Sequence, residues 1–331
     1  MDVKGRALFN YLRMNWEEDP SIVVEPWQVE DYRQLSEEEL YQRLEALGIA
    51  LDHGRFLGYA AEAPSPEELI ETLWVDESEE NLDNAYLLLF ELWRRLLPGR
   101  QSLSIFCDEL DHLIDHFDRG TLENEEAIQN ALSDLQGILD EQSDRGEGPK
   151  ALFREISLYC AHDLESFIYD FSSKQIDEGN STTASELIDG FSLYITDKKW
   201  FDFLQQRLIS PVDGEEAEHM LLRLFEELEG EPDFDLLLEI ARQLVNKGSV
   251  SHFIRAVLLA RGSIQSEQDF QELLALTSEF YRLLDHEVES KELALILKER
   301  QGNDLDAPLS PDEDLVRALY DLFEDLEGSE V

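Results

Sequence analysis

Apolar residues recur along this 331-residue chain with the 3.6-residue period of an α-helix, and that period constrains its fold more than any other feature. Leu82, Ala85, Tyr86, Leu89, Phe90, Trp93, Leu96 and Leu97 follow the i, i+3, i+4, i+7, i+8 spacing. Leu87, Leu88 and Leu92 are apolar as well, which predicts a helix enclosed on most sides. Leu103, Phe106, Cys107, Leu110, Leu113, Ile114 and Phe117 make a second stripe; Phe153, Ile156, Cys160, Leu164, Phe167, Ile168 and Phe171 make a third. Further stripes run through 217–228, 234–245 and 270–284. Alternating β-branched runs between turns, the mark of strands, are missing.

Helix-start signals agree with the stripes. Capping-box spacings occur at Ser36/Glu39, Ser65/Glu68, Thr183/Glu186, Asp213/Glu216 and Ser310/Glu313, with Pro66 and Pro311 at the favoured first helical position. Gly48, Gly120, Gly230, Gly248, Gly262 and Gly302 stand where helices should stop. Helix starts in the C-terminal half fall near 198, 215, 233, 250 and 267, so two helices make a unit of about 35 residues, as in helical-repeat proteins. The tetratricopeptide signature itself is not present. The expectation is an all-α chain of roughly 13 to 16 helices in antiparallel hairpins, an α-solenoid or similar superhelix, with an irregular bundle as the fallback. Asn15 to Leu35, with Pro20, Pro26 and Trp27, is expected to wrap over the first helices. Residues 172–183 read as a polar loop or hinge between an N-terminal helical region, 1–171, and a C-terminal repeat-like region, 184–331; one continuous stack is the alternative.

Charge decides which partners to expect. There are 75 acids against 27 Lys and Arg, a formal net charge of −48. Residues 1–150 hold 35 acids and 12 bases and residues 151–331 hold 40 and 15, so the excess is spread along the helices. Direct nucleic-acid contact and adsorption to an anionic membrane both need clustered bases and are disfavoured. With 43% apolar residues the chain can build a large core, which argues against disorder. Two cysteines cannot frame a disulfide scaffold, no run of 18 apolar residues occurs, and residues 1–16 lack a secretory signal's apolar segment. A cytoplasmic, reduced protein is expected. The acidity itself has three readings: solvated helix faces, adaptation to high salt, or a surface that meets a basic partner or imitates a nucleic acid.

Chemistry-bearing residues cluster most densely at 107–118, CDELDHLIDHFD. Asp108, His112 and His116 are the candidate metal ligands, because His residues at i, i+4 share a helix face. Glu109/His112 and Glu216/His219 fit the Glu-x-x-His spacing of carboxylate-bridged di-iron bundles. Both pairs lie off the apolar stripe, whereas such ligands must lie on it. The expectation is therefore that these side chains face water and that the histidines titrate slightly high among acids. Cys160, His162 and Asp163 suggest a nucleophilic pair, but Cys160 falls on an apolar stripe and reads as a core residue. Lys198, Lys199, Trp200 and Arg207 form the one basic and aromatic cluster, a candidate partner hot spot or a helix whose aromatics enter the core. No phosphate loop, nucleophile elbow, zincin motif or calcium loop occurs, so no cofactor and no enzymatic activity are expected. The preferred expectation is a non-enzymatic acidic scaffold or adaptor for another protein, a basic one in particular. A nucleic-acid mimic and a metal-dependent enzyme are the alternatives.

Overall fold

A computed structural model describes residues 3–74, 79–143, 146, 148–247 and 249–310. Among them the chain forms 17 α-helices, one 3-10 turn and no strand, with a single isolated bridge between Ser266 and Pro308. This is the all-α class the periodicity predicts, with one helix more than the upper expectation.

The caps explain many of the boundaries. Ser36 accepts from the Glu39 backbone while the Glu39 side chain reaches back, a full capping box. Ser65 and Asp213 cap as expected through the backbone N–H of Glu68 and Glu216. Gly48 and Gly120, at φ +90° and +64°, take the left-handed position just past a helix end. Thr183 does not cap: Asn180 holds the N-cap position and Thr183 lies in the first turn. The Ser310/Glu313 signal and Gly248 fall outside the described residues.

Two compact units divide the chain, Met1–Thr196 and Asp197–Val331. Residues 172–183, expected as a loop or hinge, lie within the first of these units. They are mostly helical, completing one helix and opening the next around a three-residue turn in which Gly179 takes φ +80°. The polar residues read as a hinge belong to these two helices and the turn between them, with Ser172 and Gln175 buried and residues 177–182 facing solvent.

The first unit comprises α1 (Arg6–Glu18), α2 (Pro26–Val29), a 3-10 turn (Tyr32–Gln34), α3 (Glu37–Ala46), α4 (His53–Glu62), α5 (Pro66–Leu73), α6 (Glu79–Leu96), α7 (Leu103–Asp118), α8 (Glu126–Ser143), α9 (Pro149–Ser157), α10 (Leu164–Asp177) and α11 (Ser181–Phe191). Helix α6 is buried all round from Ala85 to Trp93, as its apolar density requires. Trp93 donates its indole N–H to the Arg100 carbonyl at 2.9 Å, and Arg100 in turn donates to the carbonyls of Ala60 and Ala63. The 15–35 segment does wrap: Trp27 packs on Phe9, and the buried Tyr32 hydroxyl donates to the Trp27 carbonyl at 2.9 Å.

The second unit comprises α12 (Lys198–Ile209), α13 (Gly214–Gly230), α14 (Phe234–Lys247), α15 (Val250–Arg261), α16 (Glu267–Leu283) and α17 (Glu287–Arg300). Starts at 198, 214, 234, 250 and 267 reproduce the expected rhythm to within one residue. Consecutive helices joined by short turns pair as α12–α13, α14–α15 and α16–α17, and these hairpins pack on one another through α13 with α15 and α14 with α16. Phe253 and Phe280 stack at 3.7 Å between ring centroids in the core.

Candidate functional site

Helix α7 is buried along two stripes. One is the apolar stripe read from the sequence; the other is Ser104, Asp108 and Asp111, spaced i, i+4, i+7. Asp108 and Asp111 are only 4% and 3% exposed, so the expectation that the carboxylates of this helix all face water is overturned. Their burial is possible because α1 packs against α7 and brings Arg6 and Asn10, themselves i, i+4, onto the same seam.

Asp108 sits at the centre of a charged network. Its Oδ1 accepts from Arg6 Nε at 3.2 Å and from Asn10 Nδ2 at 2.9 Å, and its Oδ2 accepts from Arg33 Nη2 at 2.6 Å. Burial alone would push the Asp108 carboxyl up; the Arg6 and Arg33 guanidiniums and the Asn10 amide outweigh it and hold the carboxyl below its ordinary range. Arg33 also pairs with Glu109 at 3.0 Å, and Arg94 joins Glu109 to the buried Glu91. Arg95 pairs with Glu91 and donates to the carbonyls of Tyr32 and Arg33. Each buried carboxylate thus has at least one guanidinium or an array of hydrogen bonds, the condition under which buried charge is tolerated.

Asp111 has a different task. The segment expected to run as one stripe from Phe153 to Phe171 breaks into α9 and α10, and the turn between them leaves backbone N–H groups without helical partners. Asp111 accepts from the N–H of Ala161 at 2.8 Å and of His162 at 3.2 Å, and its Oδ1 stands 3.0 Å from His162 Nδ1. Asp163 caps α10 through the N–H groups of Glu165 and Ser166. His162 and Asp163 are therefore held in separate structural roles. Cys160 lies buried against Cys107 of α7; its hydrogen bond with that thiol and its burial raise the thiol above the ordinary range, the opposite of an activated nucleophile.

The remaining candidates are placed as follows. The rings of His112 and His116 meet edge to face with centroids 4.5 Å apart, and His116 Nδ1 lies 2.7 Å from Thr121 Oγ1. His112 titrates low, not high as expected: burial, then Arg33, then His116 disfavour its protonation more than Glu109 and Asp108 favour it. With the Asp108 carboxylate engaged by three nitrogen donors, Asp108, His112 and His116 are not brought together as a ligand set. Among the described residues no three His, Cys, Asp or Glu side chains are grouped to hold a metal ion. Glu216 and His219 lie on the exposed side of α13, where Glu216 pairs with Arg223. On α12, Lys198 pairs with Asp202, Lys199 with Glu231, Trp200 donates to Asp233 at 3.1 Å, and Arg207 is buried over the Phe203 ring.

A narrow cleft opens onto this network. Arg6, Asn10, Arg13 and Met14 of α1, Arg33, four α7 residues (Asp108, Asp111, His112 and Asp115) and His162 line it. Sequence reasoning missed it because α7 was given a single buried face. The available signal was Arg6, Asn10 and Arg13 repeating at i, i+4, i+7 near the start of an otherwise acidic chain. Among the described residues no helix is long and apolar enough to cross a membrane. No family model, curated protein or solved structure matches the chain.

Proposed function

We propose that this protein is a non-enzymatic acidic helical scaffold or adaptor that binds another protein, and that its partner is basic. The observation that supports this reading is where the positive charge goes. Arg6, Arg33, Arg94 and Arg95 are engaged by carboxylates inside the first unit and Arg300 by the buried Glu267 in the second. Were every Lys and Arg to neutralise one carboxylate, 75 less 27 would still leave 48 uncompensated. Helices such as α3, opening with Glu37, Glu38 and Glu39, carry that excess outward. A field of this sign speeds encounter with a cationic surface more than it deepens affinity, and salt screens it beyond about 8 Å at physiological ionic strength. The hairpins of the second unit, extended as a repeat, supply the scaffold. The reading sets the protein in a reducing compartment, the cytoplasm, where Cys107 and Cys160 remain thiols.

Affinity capture from the native host at low and high salt tests the proposal. A single abundant basic protein released on raising salt, and indifferent to competitor DNA, is the expected result. Displacement of that protein by DNA would replace the adaptor reading with a nucleic-acid mimic. Stoichiometric metal found by elemental analysis after mild purification would replace it with a metal-dependent enzyme.

A further inference from the structure

Cys107 and Cys160 are the only cysteines in the chain, and both are free thiols with no exposed surface. They meet because of how α7 holds the turn between α9 and α10. Cys107 lies four residues before Asp111, one helical turn away on the same side of α7. Asp111 accepts from the N–H of Ala161, the residue that follows Cys160. The turn is thereby docked with Cys160 against Cys107, and the two thiols share a hydrogen bond. Thiols in contact on elements already fixed in place are the starting geometry of a disulfide. Among the described residues no three His, Cys, Asp or Glu side chains are grouped to hold a metal ion, so thiol chemistry is what this pair has to offer.

We propose that Cys107 and Cys160 are a redox switch: oxidation by a peroxide joins them in a disulfide that staples α7 to the α9–α10 turn. One thiol loses its proton, and its sulfur attacks an oxygen of hydrogen peroxide, giving a sulfenic acid and one water. The second sulfur attacks the sulfenic sulfur, forms the S–S bond and releases a second water. The two sulfurs together lose two electrons, and the peroxide oxygens gain them. Opening of the 158–163 turn sets the rate. The closed turn shields both sulfurs, and the hydrogen bond to Cys107, burial and the Asp111 charge raise the Cys160 thiol, so thiolate is scarce until the turn opens. Once formed, the bridge is shielded in the same way and closes a loop of about 50 residues, which constrains the unfolded chain. The switch is independent of the acidic surface assigned to a protein partner, and its resting form is the dithiol of a reducing compartment.

Treatment of the full chain with hydrogen peroxide under native conditions, followed by thiol counting, intact mass and peptide mapping, tests this. Both thiols should disappear together, the mass should fall by two hydrogens, and a link reversed by dithiothreitol should join the peptides of Cys107 and Cys160. The oxidised chain should unfold at a higher urea concentration than the reduced one. Asp111→Ala, which frees the turn, should speed disulfide formation at least about fivefold. Asp163→Ala, which removes the cap of α10 but leaves Ala161 and His162 held by Asp111, should change the rate much less. Thiols that survive peroxide in the native chain, oxygen added to sulfur in place of a link, a link between separate chains, a lowered urea midpoint, or equal acceleration by Asp111→Ala and Asp163→Ala would each overturn the proposal.

Discussion

Arg6 and Asp108, 102 residues apart in sequence, form an ion pair between α1 and α7 in which both side chains are more than nine-tenths buried. Such a pair contributes little over a well-packed apolar pair, yet breaking it from one side strands a charge. Asp108→Ala should therefore destabilise the first unit by about 3–5 kcal/mol, read as a lower urea midpoint with an unchanged slope. Arg6→Met combined with Asp108→Leu should recover most of that loss in a double-mutant cycle, although Arg33 then has to pair with Glu109 alone.

Asp111 closes the turn between α9 and α10 rather than serving a reaction. Asp111→Ala should cost about 1–3 kcal/mol and accelerate amide exchange at Ala161 and His162 ahead of their neighbours. Uniform acceleration over the whole unit would contradict a local role.

Acid should act first through the same network. Asp108 has a folded pKa below its unfolded value near 3.8, so its contribution is present above that value and is lost as pH falls through the lower, folded one. Glu267, pushed up by burial but brought below its ordinary range by Arg300, behaves likewise in the second unit. Stability of the parent should fall below about pH 4. Asp108→Asn, already destabilised at neutral pH, should show a shallower fall over that interval, measured by urea unfolding at successive pH values.

Asp285, at the turn into α17, holds φ +62°, while the N–H of His286 bonds to the Tyr281 carbonyl. This is the left-handed position after a helix that glycine fills without strain. Asp285→Gly should be neutral or stabilise the second unit by up to about 1 kcal/mol, whereas Asp285→Val should destabilise it.

Helix positions were legible where a cap and a stripe agreed. The start of α13 follows from the Asp213 cap, those of α12, α15 and α16 follow from regular spacing, and Ala85–Trp93 announced its own burial. Legibility failed where two helices share a polar seam. Asp108 and Asp111 look like surface residues on any single-helix wheel; only the approach of Arg6, Asn10 and Arg33, distant in sequence, makes their burial tolerable. The 158–163 turn was missed for a related reason. Its apolar spacing continues the helical period, and the carboxylate that satisfies its N–H groups lies 50 residues away. The 172–183 segment was misread because small polar residues signal a loop only when no tertiary packing holds them. Ser172 and Gln175, on the inner side of α10, are fully buried.

Ionic-strength dependence of association with the captured partner tests the central claim, that carboxylates left over after internal pairing recruit a cationic surface. The account predicts that the association rate falls at least about tenfold between low and high salt while the dissociation rate changes much less. An association rate indifferent to salt would contradict it.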